Sequence, residues 1–191
     1  MTEYCVNVTS KCNWDCEYCI VDTKNKREPD FNKTKEIINK IPNNSLVMLS
    51  GGEPGTLKKE YMEELFDILR IKNCRIQINT NGLFFENFLY LDKYICHYLY
   101  HCSENLDDIV KIPNVSPYKL CYIIVVTDNN LEKLEDFINN NTHIRLKILL
   151  GHNKKGQKTL SIKNKLSIFT KYKSCIDNSI TSSFDAHILG Y

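Results

Sequence analysis

Short apolar runs alternate along the chain with segments whose apolar residues recur every three or four positions. The runs are YCVNVT (4–9), SLVMLS (45–50), CRIQINT (74–80), ICHYLYHC (95–102), KLCYIIVVT (119–127) and IRLKILL (144–150), and each reads as a strand. Tyr61, Leu65, Ile68 and Leu69 fall on one helical face, as do Leu131, Leu134, Phe137 and Ile138. Ile162, Leu166 and Phe169 form a third, weaker stripe. FFENFLYLDKY (84–94) and NLDDIVKI (105–112) are shorter helical patterns. Asn129 with Glu132 reads as a capping box opening the helix after the fifth run.

Strand–helix alternation repeated in this way predicts a parallel sheet. CYIIVV (121–126) is apolar without alternation, as a strand covered on both faces should be. Six such units are too few for a closed eight-stranded barrel. The expected fold class is α/β: a partial (β/α)6 TIM-like barrel, an open curved parallel sheet with outer helices. It is expected as a single domain over 1–191, with the partial barrel at about 4–170 and a C-terminal tail or lid at 171–191. In parallel α/β folds, ligands gather at the carboxyl ends of the strands. The segments that follow the runs are the cysteine loop KCNWDCEYCIVD (11–22), GGEPG (51–55), NTNG (79–82), SENLDD (103–108), TDNN (127–130) and GHNKKG (151–156).

Composition adds limits. The chain has 191 residues, 42% hydrophobic and 25% charged, with a net charge of +2, which is ordinary for a globular protein. No run of 18 apolar residues predicts a membrane span, and no charge excess calls for nucleic acid. The basic cluster KNKR (24–27) reads as a solvated loop. MTEYCVNVTS lacks the basic start and apolar stretch of a signal peptide, so the expected location is cytoplasmic. There the nine cysteines serve as thiols or ligands rather than disulfides.

Cys12, Cys16 and Cys19 are spaced C-x3-C-x2-C on one loop. Thiolates select zinc, Cu(I) or iron–sulfur clusters. A structural zinc site wants four ligands. Cys16 and Cys19 make one suitable pair, but Cys96, His97, His101 and Cys102 alternate along an apparent strand and make no clean second. A cubane cluster normally takes four cysteines; three leave one iron open to another ligand. Cys5, Cys74, Cys96, Cys102, Cys121 and Cys175 read as small buried hydrophobes, so one cluster is expected.

CNWDCEYC, with Tyr18 in the aromatic place before the last cysteine, resembles the signature of radical S-adenosylmethionine (radical SAM) enzymes. LSGGEPGTL resembles that family's GGE motif at the end of the second strand. The likeness covers about residues 4–170. It implies a [4Fe–4S] cluster on Cys12, Cys16 and Cys19 whose open iron chelates the amino and carboxylate groups of S-adenosylmethionine. One electron, from a donor such as flavodoxin or ferredoxin, then cleaves the carbon–sulfur bond. The 5′-deoxyadenosyl radical so formed takes a hydrogen atom from a small-molecule or peptide substrate.

The resemblance also implies roles along the rim, each beside a plainer reading. The backbone of Gly51 and Gly52, otherwise a tight turn, would meet the methionine amino group, with Glu53 as an unpaired carboxylate beside that ammonium. Asn79 and Thr80 would bond the methionine carboxylate or substrate, and Asn81, also a turn former with Gly82, is a substrate candidate. Ser103 or Glu104 would face the ribose, although Ser103 and Asn105 also suit a helix N-cap. Val126 would offer backbone and apolar contact to the adenine, or is core. His152 is a candidate for substrate contact. The short chain, GGEP, TNG and IIVVTDNNLEKLEDF resemble the small 7-carboxy-7-deazaguanine synthase-like members, which implies a pterin or deazapurine substrate and Mg2+. Against the magnesium, Ile20 and Val21 separate Asp22-Thr23 from the last cysteine. Modification of a peptide, activation of a protein partner and modification of a nucleotide stay open. The reading from another class is a non-catalytic zinc or iron–sulfur binding module.

Overall fold

The computed structural model describes residues 2–16, 19, 30–102, 106, 115–141, 145–150 and 162–172. Each apolar run becomes a strand: β1 Glu3–Thr9, β2 Leu46–Gly51, β3 Arg75–Thr80, β4 Ile95–His101, β5 Leu120–Val126 and β6 Leu146–Leu150. Strand order is chain order, β1-β2-β3-β4-β5-β6, and every pairing with a described register is parallel. The α/β sheet expected from the alternation is therefore the fold observed. Two compact units divide it: the first carries β1 to β3 and β4 as far as Tyr100, the second His101, β5 from Cys121 and β6.

In the first unit the strands alternate over most of their length, with breaks at the ends of β1 and β2 and near the start of β4. Val6 and Val8, Val47 and Leu49, Ile76 and Ile78, and Tyr98 and Tyr100 are buried, all on one face by the period of two. Helix α1, Phe31–Lys40, is the helix a (β/α)6 pattern requires after β1, but no apolar stripe marks its position, because only Thr34 and Ile38 of its ten residues are buried. Its start is nonetheless a standard one: the Asp30 carboxylate accepts the Lys33 N–H at 3.1 Å. It ends at Ile41, which is extended, as the residue before Pro42 should be. Helix α2, Lys59–Ile71, buries Met62, Leu65, Phe66 and Leu69. The predicted stripe is thus correct at Leu65 and Leu69 and rotated at its edges. Tyr61 instead stacks on Phe31 of α1 with ring centroids 4.2 Å apart.

The helix expected over 84–94 is shorter than its pattern. Helix α3 is one turn, Glu86–Leu89, followed by a 3₁₀ turn at Asp92–Tyr94. Phe85, Phe88 and Leu91 are buried three apart, and three-residue hydrogen bonds link the segment, such as Leu91 N–H to Phe88 O at 2.8 Å. Lys119 then caps it, donating to the Asp92 carbonyl and carboxylate at 2.7 and 2.8 Å.

In the second unit, every residue of β5 is buried, as its unbroken apolar run requires. Helix α4, Leu131–Asn140, buries Leu134 and Phe137. The cap falls one residue later than the Asn129 expected for it. Asn130 is the N-cap residue and makes no side-chain cap bond to the helix. Its amide accepts from Thr127 N–H at 2.9 Å and donates to Val125 O at 3.0 Å, tying the end of β5 instead. Helix α5, Ile162–Lys171, falls where the third stripe placed it. The side chains of Ile162, Leu166 and Phe169 lie outside those described, and Ile168 is buried.

Two other expectations need qualifying. Cys102 and Cys121 are buried, but Cys5 is exposed and Cys74 and Cys96 are half-buried: Cys5 sits at an outward position of β1, Cys74 just before β3, and Cys96 at the register shift between Ile95 and His97. Cys175, the NLDDIVKI pattern apart from Leu106, and the 173–191 tail lie outside the described residues. No helix among the described residues is long and apolar enough to cross a membrane.

Candidate active site

The site grows from a main-chain crossing at the carboxyl ends of β1 and β2. Gly52 N–H donates to Thr9 O, and Glu53 N–H donates to Lys11 O, both at 2.7 Å. The root of the cysteine loop is thereby laid on the GGE segment. Glycine is required at both positions. A Cβ on Gly51, where φ is +121°, would lie 2.3 Å from Thr9 O, and one on Gly52 would lie 2.0 Å from Lys11 O. The N–H groups of Gly52 and Glu53 are consumed by the fold, so what the segment can offer a cationic ammonium is carbonyl oxygen.

Glu53 departs from expectation. Its side chain is fully buried and its carboxylate is not unpaired. It accepts from Gly55 N–H at 2.8 Å, Thr80 Oγ1 at 2.8 Å and Asn81 N–H at 2.7 Å. Burial pushes the pKa of this carboxyl up from its ordinary value, and the three donors pull it part of the way back. The carboxylate therefore fastens the end of β3 to the end of β2. Thr80 is likewise committed: it is buried, donates to Glu53 and accepts Gly82 N–H at 3.0 Å. It does not present its hydroxyl to a ligand, because Ile76, Ile78 and Thr80 share the buried parity of β3.

Asn79 has the opposite parity, is half-buried, and donates to Ser50 Oγ at 2.9 Å. This second face of β1 to β4 holds residues the sequence reading missed. Register places Cys5, Met48, Gln77 and His97 in one row, and pairs Asn7 with Ser50 and Asn79 with Leu99 in the next. The signal was available as polar residues alternating with the buried ones in VNV (6–8) and IQIN (76–79).

The cysteines follow β1. Cys12, Cys16 and Cys19 are each half-buried. Cys12 Sγ accepts Trp14 N–H at 3.4 Å and lies 3.9 Å from Asn81 Nδ2. Burial pushes the Cys12 thiol up, the Trp14 N–H lowers it, and the negative charges of Glu53 and Cys19 push it further up. A thiolate in that position wants a positive partner, and a metal supplies one by deprotonating the thiols it binds. Three thiols with N–H donors aimed at the first of them are a donor set that fits an iron–sulfur cluster. No three Cys, His, Asp or Glu side chains among the described residues converge on a single metal ion.

In the second unit, Val126 is fully buried at the end of β5. His101, at the end of β4, has its imidazole lowered to about 4 by burial, and burial pushes the Cys102 thiol up to about 12. Tyr18, Ser103, Glu104, His152 and the Asp22-Thr23 pair lie outside the described residues.

Residues 6–119 match the Radical SAM superfamily. The uncharacterized protein MJ0907 of Methanocaldococcus jannaschii is 26% identical over 165 residues, which cover 72% of this chain and 57% of the relative. Among solved structures, a polyhistidine-tagged anSMEcpe with bound AdoMet superposes with a TM-score of 0.61 at 18% identity, covering 90% of this chain and 58% of that one. Streptococcus suis SuiB gives a TM-score of 0.62 at 18% identity over 95% of this chain and 47% of that one. Native anSMEcpe with bound AdoMet and the Cp18Cys peptide gives 0.60 at 18% identity, covering 89% of this chain and 58% of that one. The chain thus spans about half to three fifths of the length of these proteins, and the structural likeness is one of fold.

Proposed function

The chain belongs to the radical SAM superfamily, and from that premise we propose that it is an enzyme whose Cys12, Cys16 and Cys19 hold a [4Fe–4S] cluster beside bound S-adenosylmethionine. When bound, the cluster supplies the electron that splits the sulfonium into methionine and a 5′-deoxyadenosyl radical for hydrogen abstraction. The protein's share is placement and exclusion of water. The carbonyls of Gly51 and Gly52 accept from the methionine ammonium. Asn79, on the half-buried face of β3, is placed to donate to the methionine carboxylate. The rows Cys5–Met48–Gln77–His97 and Asn7–Ser50 offer the substrate a mixed polar and apolar wall. Ser103 or Glu104 toward the ribose, Val126 toward the adenine and His152 toward the substrate complete the proposed assignment.

The observation that supports this reading most is the crossing of Thr9–Lys11 over Gly52–Glu53. It brings the cysteine loop and the GGE segment, two motifs some 40 residues apart in sequence, into main-chain contact. Anaerobic reconstitution with iron and sulfide, reduction with dithionite and addition of S-adenosylmethionine should release 5′-deoxyadenosine. Cys16→Ala should abolish both the cluster's visible absorbance and this product. A fully loaded protein that releases none favours the binding-module reading. A tetrahydropterin and a cysteine-containing peptide are the two substrate arms; the one that speeds 5′-deoxyadenosine release and is itself altered identifies the class.

A further inference from the structure

Asn81 is buried and every polar atom of its side chain and its N–H is assigned. Its backbone N–H donates to Glu53 Oε2 at 2.7 Å. Its Oδ1 accepts Leu83 N–H at 3.1 Å. Leu83 N–H can only donate, so that contact fixes which way the amide is turned. Nδ2, with two hydrogens, then faces two acceptors: Asn13 Oδ1 at 2.9 Å and Cys12 Sγ at 3.9 Å. The backbone of the residue is held by a buried carboxylate and the next turn is held by Gly82, whose φ is +82° and whose Cα packs against the Tyr100 ring. Asn81 is thus mounted on the end of β3 with little freedom to turn away from the sulfur.

We propose that Asn81 is a positioning residue that holds an N–H on the first cluster thiolate and so sets the cluster's reduction potential, rather than a residue that contacts substrate. This rests on the reading of Cys12 as a cluster ligand. The physical cause is simple. The electron that reduces an iron–sulfur cluster increases the negative charge on its sulfur ligands, and a donor to sulfur stabilises the reduced state more than the oxidised one. Trp14 N–H, at 3.4 Å, gives Cys12 a second donor, but that one belongs to the loop itself. The Asn81 donor comes from a different strand and is subject to substitution.

The test is an EPR-monitored potential titration of the reconstituted holoprotein. Asn81→Ala removes the donor; Asn81→Asp also aims an anionic oxygen at the sulfur. Both should lower the equilibrium constant for reduction, Asn81→Asp by about tenfold, which is about 59 mV for one electron. Asn13→Ala removes the other acceptor of Nδ2 but leaves the N–H on the sulfur, so its potential should stay at the wild-type value. If Asn81 serves only to tie the loop, Asn13→Ala and Asn81→Ala will behave alike, and the proposal falls. Equal potentials in loaded wild type and Asn81→Asp also overturn it. Should the Asn81 variants not take up iron, wild-type protein carrying [γ-15N]asparagine decides the matter. A weak hyperfine coupling from a side-chain nitrogen in the reduced state supports the N–H···S contact, and its absence overturns it. A wild-type chain that assembles no cluster is a separate outcome, seen before any variant is made, and removes the reading of Cys12 along with the proposal.

Discussion

At Glu53 a fully buried carboxylate meets three donors from Gly55, Thr80 and Asn81, and this changes what substitution there should do. Glu53→Ala leaves those donors without an acceptor, at a cost of about 1–3 kcal/mol for each group that finds no water, partly offset because the buried charge is also gone. A net loss of about 3 kcal/mol in denaturant unfolding of the apo chain is expected. Glu53→Asp, one methylene shorter, should lose less and should shift the anchoring of Asn81. At Gly52 the expected effect is local. A methyl group 2.0 Å from the Lys11 carbonyl forces the two chains apart, so Gly52→Ala should lower iron uptake per chain while far-UV circular dichroism stays near that of wild type.

Among the elements, β4 carries a pH dependence. His101 titrates at about 4 in the folded chain, against an ordinary value near 6.5. Between these values the unfolded chain binds a proton that the folded chain refuses, so stability is full above about 6.5 and falls as pH drops toward 4. His101 is partly exposed, which reduces the effect. From pH 7.5 to pH 5 the apo protein should lose about 1–2 kcal/mol relative to His101→Gln, measured by urea midpoints. The elements also show what a sequence can disclose. All six strands were legible because a period of two or an unbroken apolar run leaves no competing reading. Helix α1 was not, since its burial amounts to Thr34 and Ile38, and neither was the one-turn α3, whose 3₁₀ spacing of Phe85, Phe88 and Leu91 imitates a helical stripe. The site was half legible. Residue type revealed the thiols and the glycines, but it could not show that Glu53 and Thr80 satisfy each other. The outward row of Gln77 and His97 required the register.

For the molecule as a whole, the contacts that organise the first unit do not pass through the cysteines. Strand register, the Glu53 carboxylate and the glycine crossings are all made by other atoms. Removal of the cluster by a chelator under anaerobic conditions should therefore leave a cooperative melting transition and nearly unchanged far-UV circular dichroism. A protein dependent on structural zinc would instead unfold when stripped. The near-neutral charge balance of 25 basic against 23 acidic residues means that an electron donor would have to recognise a local surface rather than the net field of the molecule.

The crossing at Thr9 and Lys11 has one more consequence. Its two hydrogen bonds run from peptide to peptide and are indifferent to which side chains Ser10 and Lys11 carry. The anchorage of the loop is therefore written in chain geometry and in two glycines, and these two bonds make no demand on the side chains at positions 10 and 11. Descendants of this chain could recolour the surface beside the thiols, acquiring or shedding charge to suit a new redox partner, and still keep both peptide-to-peptide bonds of the crossing.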